Sequence, residues 1–311
     1  MSHAIRTVTG DISPQTMGPT LIHEHVVLDL SRIRNDTDAI LADSDPLNRE
    51  LQNLRAAGCG GIVEVTNRGM GRDVQSLATL SQRHGIPIVA ATGYYKQSYY
   101  TEEVFQKTTE ELTERFVKEL TVEVEDTGIR AGIISEIGSS LHEITPDEYK
   151  VFQAAIQAQR KTGAPLSTHC ELGTMGSEQL TLFSQGDLDL SKVSIGHQDL
   201  NGDRQEYEAL LRAGVYIQFD TIGKNAYRPD EERLDDLLWI LDKGYEKQIM
   251  LSTDITKKSY LKVNGGFGYE HLFTRFLPQL KERGVHQREI DTIMVDNPRR
   301  FLSFDVNKQA H

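Results

Sequence analysis

Short apolar runs, rich in β-branched residues, recur along the chain and predict buried strands. They cover residues 20–28, 60–66, 86–92, 131–138, 164–169, 192–197, 214–220 and 247–254. Between them, apolar residues recur at helical spacing, and several of these stretches end in Gly, the usual helix stop. This alternation predicts βα units and a parallel sheet that is covered by helices on both faces.

Eight such units indicate a sheet that closes on itself. The predicted fold is therefore α/β, a (β/α)8 TIM barrel, with residues 287–302 as a C-terminal helical tail. An open doubly wound sheet is the alternative, but the glycine-rich phosphate loop that would favour it after the first strand is absent. No linker or internal repeat is visible, so we expect one domain over residues 1–311.

The composition limits the classes of partner. Hydrophobic residues make up 38% of the chain and charged residues 26%, which is ordinary for a globular protein with a sizeable core. A net charge of −12 argues against nucleic acid or an anionic membrane surface as the main partner. No apolar run could span a membrane and residues 1–14 lack a signal pattern, so we expect a cytoplasmic location. Cys59 and Cys170 form no CxxC motif, so any metal would be held by His and carboxylates.

Side chains that can bind metal gather at the predicted carboxyl ends of the strands, where catalytic groups lie in barrels of this type. His23 and His25 are two residues apart near the end of the first strand, so both side chains point to the same side. The fourth, fifth, sixth and eighth strands end in Glu136, His169, His197 and Asp254. Imidazoles and carboxylates from five strands at one height of the barrel predict a metal centre.

Taken singly, each of these residues also has an ordinary structural interpretation. A His-x-His pair on a strand is more often structural than a ligand pair, and Asp254 alone could cap the following helix. The joint pattern, with four of the ten histidines at predicted strand ends, favours the metal site.

The same segments resemble the phosphotriesterase family of the amidohydrolase superfamily. The resemblance is carried by TLIHEHV, ISEIG, STH, GH and STD, in this order, and covers nearly the whole chain. The segments STHCELGTMGSEQL, GHQDL, QFDTIGKNAYRPDE and LSTDITKKSYLKVNGGFGYEHL are especially similar to the phosphotriesterase homology proteins. The resemblance implies two divalent cations, the first bound by His23, His25 and Asp254, the second by His169 and His197, with Glu136 as the bridge.

Two positions depart from phosphotriesterase itself. Glu136 matches a carboxylated lysine of that enzyme; both groups carry one negative charge, but Glu is much shorter and needs no carbon dioxide for assembly. Thr221, in FDTIG, matches a histidine that follows the aspartate at the end of strand 7. The relay through that histidine is therefore missing, which argues against phosphotriesterase activity.

Coordination and charge predict a hydrolytic mechanism. The formal charge of the centre would be roughly +1, the sum of two dications, the carboxylates of Glu136 and Asp254, and a bridging hydroxide. A positively charged centre lowers the pKa of the water that the two cations share. An open position on the second metal could polarise a carbonyl or phosphoryl oxygen, and Asp254 would carry the proton to the leaving group. Activity should fall in acid, because imidazoles must be neutral to bind metal. The ligands suit zinc, with manganese, cobalt or iron as alternatives.

The loops after strands 7 and 8 indicate the substrate class. They carry the basic residues Lys224, Arg228, Lys257, Lys258 and Lys262, which either bind an anionic small-molecule substrate or are solvated lysines that balance acidic helices. Tyr95, after strand 3, either packs in its loop or, by the resemblance, matches a tyrosine that faces the lactone in related lactonases. Together these residues favour hydrolysis of a lactone or ester, with a phosphorylated sugar lactone as one candidate.

Other functions stay open at this point. Phosphate or phosphonate ester hydrolysis is the nearest alternative. A lyase or isomerase of the superfamily would need a base away from the metals, and none can be identified. A non-catalytic metal-binding protein would close the coordination sphere with protein ligands, whereas this ligand count leaves room for water and substrate. The resemblance also implies a homodimer.

Overall fold

The barrel is the central feature of the structure, a computed structural model that describes residues 3–308. Within these residues, eight parallel strands follow one another in chain order, each hydrogen-bonded to the next. The barrel strands, β1 to β8, are Thr20–Glu24, Gly61–Glu64, Ile88–Thr92, Ile133–Ser139, Leu166–Cys170, Val193–Ile195, Tyr216–Phe219 and Ile249–Leu251. The predicted (β/α)8 barrel is confirmed.

Helices surround the strands and also lie in their loops. The α-helices described, α1 to α12, are Ser31–Arg34, Asp45–Ala56, Val74–His84, Glu102–Gln106, Thr109–Thr121, Pro146–Thr162, Gly176–Gln185, Arg204–Ala213, Asp230–Asp242, Leu277–Glu282, Gln287–Asp291 and Asn297–Leu302. Wider π-type turns cover Leu272–Phe276 and Thr292–Asp296, and short 3-10 turns fill several loops. The predicted C-terminal helical tail is present as α11, the second π-type turn and α12.

Local caps determine where several helices begin and end. Thr108 and Thr145 form capping boxes at the starts of α5 and α6. The helices α3 and α6 end at Gly85 and Gly163, which adopt the left-handed conformation. The stretch 102–128, which has helical spacing throughout, forms two helices and ends in turns after Thr121, because the cap at Thr108 starts a new helix.

The barrel strands are shorter than the apolar runs that predict them. The strands β1, β6 and β8 end before His25, His197 and Asp254, which therefore lie in the following loops. His197 and Asp254 adopt the left-handed backbone conformation, with φ of 56° and 49°. The loop residues at this end of the barrel are buried like the strands, so hydrophobicity alone overestimates strand length.

A small antiparallel sheet, absent from the sequence-based prediction, lies at the amino end of the barrel. His3–Thr7 pairs with Gly10–Ile12 on one side and with Phe304–Asp305 on the other. The backbone N–H of Val8 donates a hydrogen bond to the carbonyl of Ile88, the first residue of β3, at 2.9 Å. This sheet therefore covers the end of the barrel opposite to the predicted metal ligands.

The first and last strands meet at a seam that side chains close. Within residues 3–308, backbone ladders join β1 through β8 in order but do not join β8 back to β1. The buried carboxyl group of Glu24 bridges the gap by accepting hydrogen bonds from Ser252 Oγ at 2.7 Å, Thr253 N at 2.7 Å, Asp254 N at 3.1 Å and Ile255 N at 2.9 Å. A single side chain thereby positions the segment that carries Asp254.

Apolar side chains pack in two layers. One cluster fills the barrel around Ile22, Val63 and Met250, and a larger one lies between strands and helices. Burial on both faces explains why the barrel strands are continuous apolar runs. No described helix is long and apolar enough to cross a bilayer. The single domain over residues 1–311 and the cytoplasmic location stay predictions.

Candidate metal centre

Four imidazoles and one carboxylate converge at the carboxyl end of the barrel. Glu136, on β4, lies between them: its Oε1 is 2.9 Å from His169 Nδ1, 3.5 Å from His23 Nε2 and 3.6 Å from His197 Nε2. Its Oε2 is 3.8 Å from His25 Nε2. All five side chains are buried. The structure thus brings together five of the six side chains that the sequence predicts as ligands.

Asp254, the sixth, reaches the same cluster from the loop after β8. Its Oδ1 lies 3.3 Å from His25 Nε2 and 3.8 Å from His23 Nε2, and its Oδ2 accepts a hydrogen bond from Lys224 Nζ. Burial alone would raise the pKa of Asp254, but the Lys224 ammonium and the neighbouring histidines outweigh it and lower that pKa. Asp254 is therefore an ionised carboxylate.

Hydrogen bonds on the far side of two rings orient their imidazoles. His23 Nδ1 lies 3.1 Å from Gln218 Oε1, and His25 Nδ1 lies 2.7 Å from Thr66 Oγ1. Each contact turns Nε2 of the ring towards Glu136 and Asp254. Partners of this kind fix the tautomer and the direction of metal-binding imidazoles.

Asp220, the residue after β7, orients a third ring. Its Oδ1 lies 2.8 Å from His197 Nδ1, and both of its oxygens accept a hydrogen bond from the His197 backbone N–H at 3.1 Å. Its Oδ2 also lies 3.2 Å from His23 Nδ1. Asp220 is not among the site residues predicted from the sequence, although the next residue, Thr221, matches a histidine of phosphotriesterase. The available signal was the position of Asp220 at a strand end, which it shares with the other polar residues of the cluster.

His169 faces the cluster through its other ring nitrogen. Its Nδ1 points to Glu136, while its Nε2 lies 2.8 Å from Glu171 Oε2 and 3.2 Å from the Tyr95 hydroxyl. Glu171 is paired on its other side with Lys96. Sequence reasoning missed Glu171 and Lys96, because nothing in their local pattern distinguishes them from ordinary polar loop residues.

Two buried polar atoms of the cluster form no hydrogen bond within the described region. Within the described region, His23 Nε2 and Glu136 Oε2 are buried without a hydrogen-bond partner, and such unpaired groups are costly. Three overlapping sets of side chains have ligand atoms within 4.8 Å of one another, drawn from His23, His25, Glu136, His169, His197 and Asp220. Imidazole nitrogen and carboxylate oxygen are donors that zinc and similar cations prefer, so the residues present fit divalent metal.

The surroundings of two imidazoles favour their protonated form at neutral pH in metal-free protein. Burial would lower the pKa of His23, but the carboxylates of Asp220 and Glu136 outweigh it and raise that pKa to about 9. The pKa of His197 is raised well above its ordinary value, since Asp220 and Glu136 again outweigh the effect of burial. The metal-free cluster thus carries positive charge on side chains that must be neutral to bind metal.

Metal uptake should therefore displace protons. At pH 7 we expect the two imidazoles to release about two protons per chain, in addition to the proton lost by a metal-bound water. The imidazole contribution should fall as the pH rises through about 9, where His23 becomes neutral in the metal-free protein. Calorimetric titration of zinc into metal-free protein, in buffers of different ionisation enthalpy, measures the number released. A heat of binding that does not depend on the buffer would contradict the charged imidazoles.

A cavity of about 170 Å³ opens over the cluster. Of the predicted catalytic and substrate residues, Tyr95, Lys224, Lys257 and Asp254 line it. Tyr95 is buried, and its hydroxyl lies beside the His169 ring. The cavity therefore joins the metal-competent side chains to both aromatic and basic groups.

Three of the predicted basic residues, Arg228, Lys258 and Lys262, do not line this cavity. Lys262 is instead paired with Glu270. The guanidinium of Arg228 donates to Asp236 Oδ2 at 2.6 Å and to the carbonyl of Asp199 at 2.8 Å. Lys258 Nζ donates to the carbonyl of Thr37 at 3.1 Å. The side chains of Arg228 and Lys258 connect loops to their neighbours, an arrangement that the charge of the loops alone does not reveal.

Comparison with known proteins identifies the relationship. The family model described as "Phosphotriesterase family" matches residues 3–302. The chain belongs to the phosphotriesterase family. This confirms the resemblance seen in the sequence.

Several proteins illustrate this relationship to the phosphotriesterase family. The phosphotriesterase homology protein of Escherichia coli is 43% identical over 285 residues, covering 92% of this chain and 98% of that protein. Its crystal structure, complexed with phosphate in the active site, matches at 42% identity with a TM-score of 0.90, covering 92% of this chain and 99% of that chain. A lactonase from Listeria monocytogenes matches with a TM-score of 0.92 at 31% identity, covering 97% and 99% of the two chains. The N-acetyltaurine hydrolase of Salmo salar is 30% identical, covering 98% and 99%.

Family membership and the site agree on the class of activity. Enzymes of the phosphotriesterase family use a binuclear metal centre, and the described residues contain His, Glu and Asp groups that can hold metal. Related proteins are named lactonases and organophosphate hydrolases. The predicted class, a metal-dependent hydrolase that acts on ester bonds, is confirmed.

Proposed function

We propose that this phosphotriesterase-family protein hydrolyses a lactone or ester that carries an anionic group, with a phosphorylated sugar lactone as the leading candidate. The observation that carries the proposal is the cavity in which Tyr95 and basic side chains face the cluster of imidazoles and carboxylates. Lactone hydrolysis is supported by the related lactonase from Listeria monocytogenes. An anionic group on the substrate is supported by the Escherichia coli relative, whose structure has phosphate in its active site.

Six side chains would hold two cations: His23, His25 and Asp254 on one side, His169 and His197 on the other, and Glu136 between them. When bound, such a pair lowers the pKa of a coordinated water and polarises a carbonyl or phosphoryl oxygen. Nitrogen and oxygen donors suit zinc, which we propose as the native metal, with manganese, cobalt and iron as alternatives.

Asp254 would carry the proton from the attacking water to the leaving group. Its Oδ1 faces His25, and its Oδ2 is bound to Lys224 inside the cavity wall. Lys224 holds the Asp254 carboxyl group ionised, so Asp254 can accept a proton from the attacking water. It would then give that proton readily to the leaving oxygen.

Tyr95 would orient the scissile group. Burial raises the pKa of Tyr95 well above its ordinary value, so the phenol keeps its proton at neutral pH. Its hydroxyl lies 3.2 Å from His169 Nε2 at the cavity wall. From there it can donate a hydrogen bond to an ester or lactone oxygen that enters over the cluster.

Chelation and reloading test the proposal. We expect the metal-loaded protein to hydrolyse phosphorylated sugar lactones, to lose activity when the metal is removed, and to recover it with zinc, manganese or cobalt. Elemental analysis should find about two cations per active chain. The substrate panel also contains neutral lactones, carboxylate esters, phosphate and phosphonate esters, and an N-acetylated amino sulfonate.

Other results with the substrate panel would indicate a different activity. Preferential turnover of phosphate or phosphonate esters would favour the nearest alternative. Cleavage of the N-acetylated amino sulfonate alone would indicate amide chemistry, as the name of the Salmo salar relative does for that protein. A two-metal protein that hydrolyses none of these compounds would overturn the proposal.

A further inference from the structure

Basic side chains from four separate loops line the cavity over the cluster. Within the described residues they are Arg34, Lys96, Lys224 and Lys257. The three lysines each have a carboxylate partner, in the pairs Lys96–Glu171, Lys224–Asp254 and Lys257–Asp36. Arg34 differs from them, and the charge pattern of the sequence did not single it out.

Arg34 has no carboxylate within ion-pair distance in the part of the chain that the structure describes. Its Nε donates a hydrogen bond to the Tyr99 hydroxyl at 3.1 Å, and its guanidinium lies 5.8 Å from the centre of the Tyr99 ring. These contacts hold one nitrogen and one face of the guanidinium. They leave the two terminal nitrogens without a hydrogen-bond partner among residues 3–308, in a side chain that is half-buried at the cavity wall.

The backbone that carries Arg34 is held in place. Arg34 ends α1, and Asn35 follows it in the left-handed conformation, with φ of 48°. The same loop is bound to the loop after β8, because Ser259 donates to the Asp38 carboxylate from both its backbone N–H, at 2.8 Å, and its hydroxyl, at 2.6 Å. A guanidinium that is fixed before binding loses little freedom when it takes a ligand.

We propose that Arg34 is the specificity-determining residue that binds the anionic group of the substrate, a carboxylate, sulfonate or phosphate ester. A planar guanidinium with two free terminal nitrogens matches two oxygens of such a group, whereas a lysine acts as a point charge. The lysines of the cavity are already neutralised by their partners, so Arg34 supplies the unpaired positive charge.

This inference rests on the proposed function and deepens it. Arg34 and Asp254 line the same cavity of about 170 Å³. The anionic group and the bond that is cleaved must therefore belong to one compact molecule. Long-chain esters and bulky neutral lactones would leave Arg34 without a partner.

The test compares two substitutions on one short helix. Arg34→Met removes the guanidinium, while Arg32→Met removes an exposed one two residues away and serves as the matched control. Each variant is assayed on lactones that differ only in bearing a phosphate, a sulfonate, a carboxylate or no anion. We expect Arg34→Met to lower kcat/KM for the anionic compounds by about 10- to 100-fold, mainly through KM, and to leave the neutral lactone within about threefold.

A further variant and an unfolding experiment make the result decisive. Arg34→Lys should recover only part of the loss, since lysine cannot bind two oxygens in one plane. Comparison of the lactones that bear a phosphate, a sulfonate or a carboxylate shows which anionic group the site prefers. Equal losses on anionic and neutral lactones, or equal effects of Arg34→Met and Arg32→Met, would overturn the inference. Thermal unfolding of each variant shows whether a loss comes from folding instead.

Failure of the proposed function can be distinguished from failure of this inference. If the unaltered protein hydrolyses no lactone, calorimetry of a sugar phosphate that contains no ester carbonyl still measures anion binding. Arg34→Met should then weaken binding by about tenfold or more relative to Arg32→Met. Unchanged affinity in that experiment would also overturn the role of Arg34.

Discussion

Replacing Asp254 by Asn is expected to lower kcat by about 10² to 10⁴-fold in protein that still holds its metal. Asn keeps an oxygen that can bind a cation, but it cannot accept and return a proton. The expected loss is therefore in kcat, the step that needs the proton, more than in KM. Steady-state kinetics with the substrate found active in the panel, together with elemental analysis of the same samples, measures both quantities.

A second carboxylate provides the control for Asp254. Asp36 lies near the cavity rim and pairs with Lys257 at 3.5 Å, but it does not contact the imidazole cluster. Asp36→Asn should leave kcat within about threefold, because a partly exposed ion pair contributes little. Full turnover by Asp254→Asn with both cations present would eliminate Asp254 as the proton carrier. Recovery of activity only in excess metal would assign it a role in binding metal alone.

Replacing Glu24 by Gln should damage both stability and metal binding. The Glu24 oxygens accept hydrogen bonds from both ends of the segment 252–255. Whichever way the new amide is oriented, its NH2 group meets a backbone N–H. We expect the free energy of unfolding to fall by about 2 kcal/mol and the affinity for the metal bound by Asp254 to fall by about 10- to 100-fold. Urea unfolding of metal-free protein and calorimetric metal titration measure the two effects.

Glu119→Gln is the control that separates the loss of stability from the loss of metal affinity. Glu119 is buried and accepts hydrogen bonds from Arg72 and Thr92, and none of its hydrogen bonds or ion pairs reaches the imidazole cluster. Its replacement should also lower stability, since it leaves Arg72 without its buried partner, but it should not change metal affinity. If Glu24→Gln behaved in the same way as Glu119→Gln, the seam would have only a structural role.

The barrel and its cluster could be predicted because they depend on local and repeated patterns. Each strand is an apolar run that carries its own signal, and parallel strands bring their carboxyl ends to one side. His23 and His25 share a direction because strand side chains alternate. The ligand chemistry of Glu136 and Asp254, which end two other predicted strands, could therefore be combined with theirs from the sequence alone.

The residues that orient the cluster could not be predicted in the same way. Thr66, in the loop after β2, contacts His25 in the loop after the neighbouring strand β1. Asp220 contacts His197, whose left-handed backbone has no sequence signature. Polar residues at strand ends are common, so their partners depend on loop geometry. The N-terminal sheet was missed for a related reason, since it pairs short segments from opposite ends of the chain.

The basic residues illustrate a further limit. Arg228 and Arg34 are both arginines in loops above the barrel. Arg228 forms an ion pair with Asp236, whereas two nitrogens of Arg34 have no hydrogen-bond partner among the described residues. The number of basic residues in these loops predicts a basic cavity rim, but it does not show which side chain is free to bind a ligand. That distinction depends on acidic neighbours contributed by other loops.

The seam at Glu24 links folding to catalysis. Glu24 and Ser252 are 228 positions apart in the chain, so their contact forms only when the first and last barrel strands have come together. The segment that carries Asp254 takes its position through that same contact. An incompletely folded chain would thus lack a working hydrolase centre, and enzymatic turnover would report that the barrel has closed.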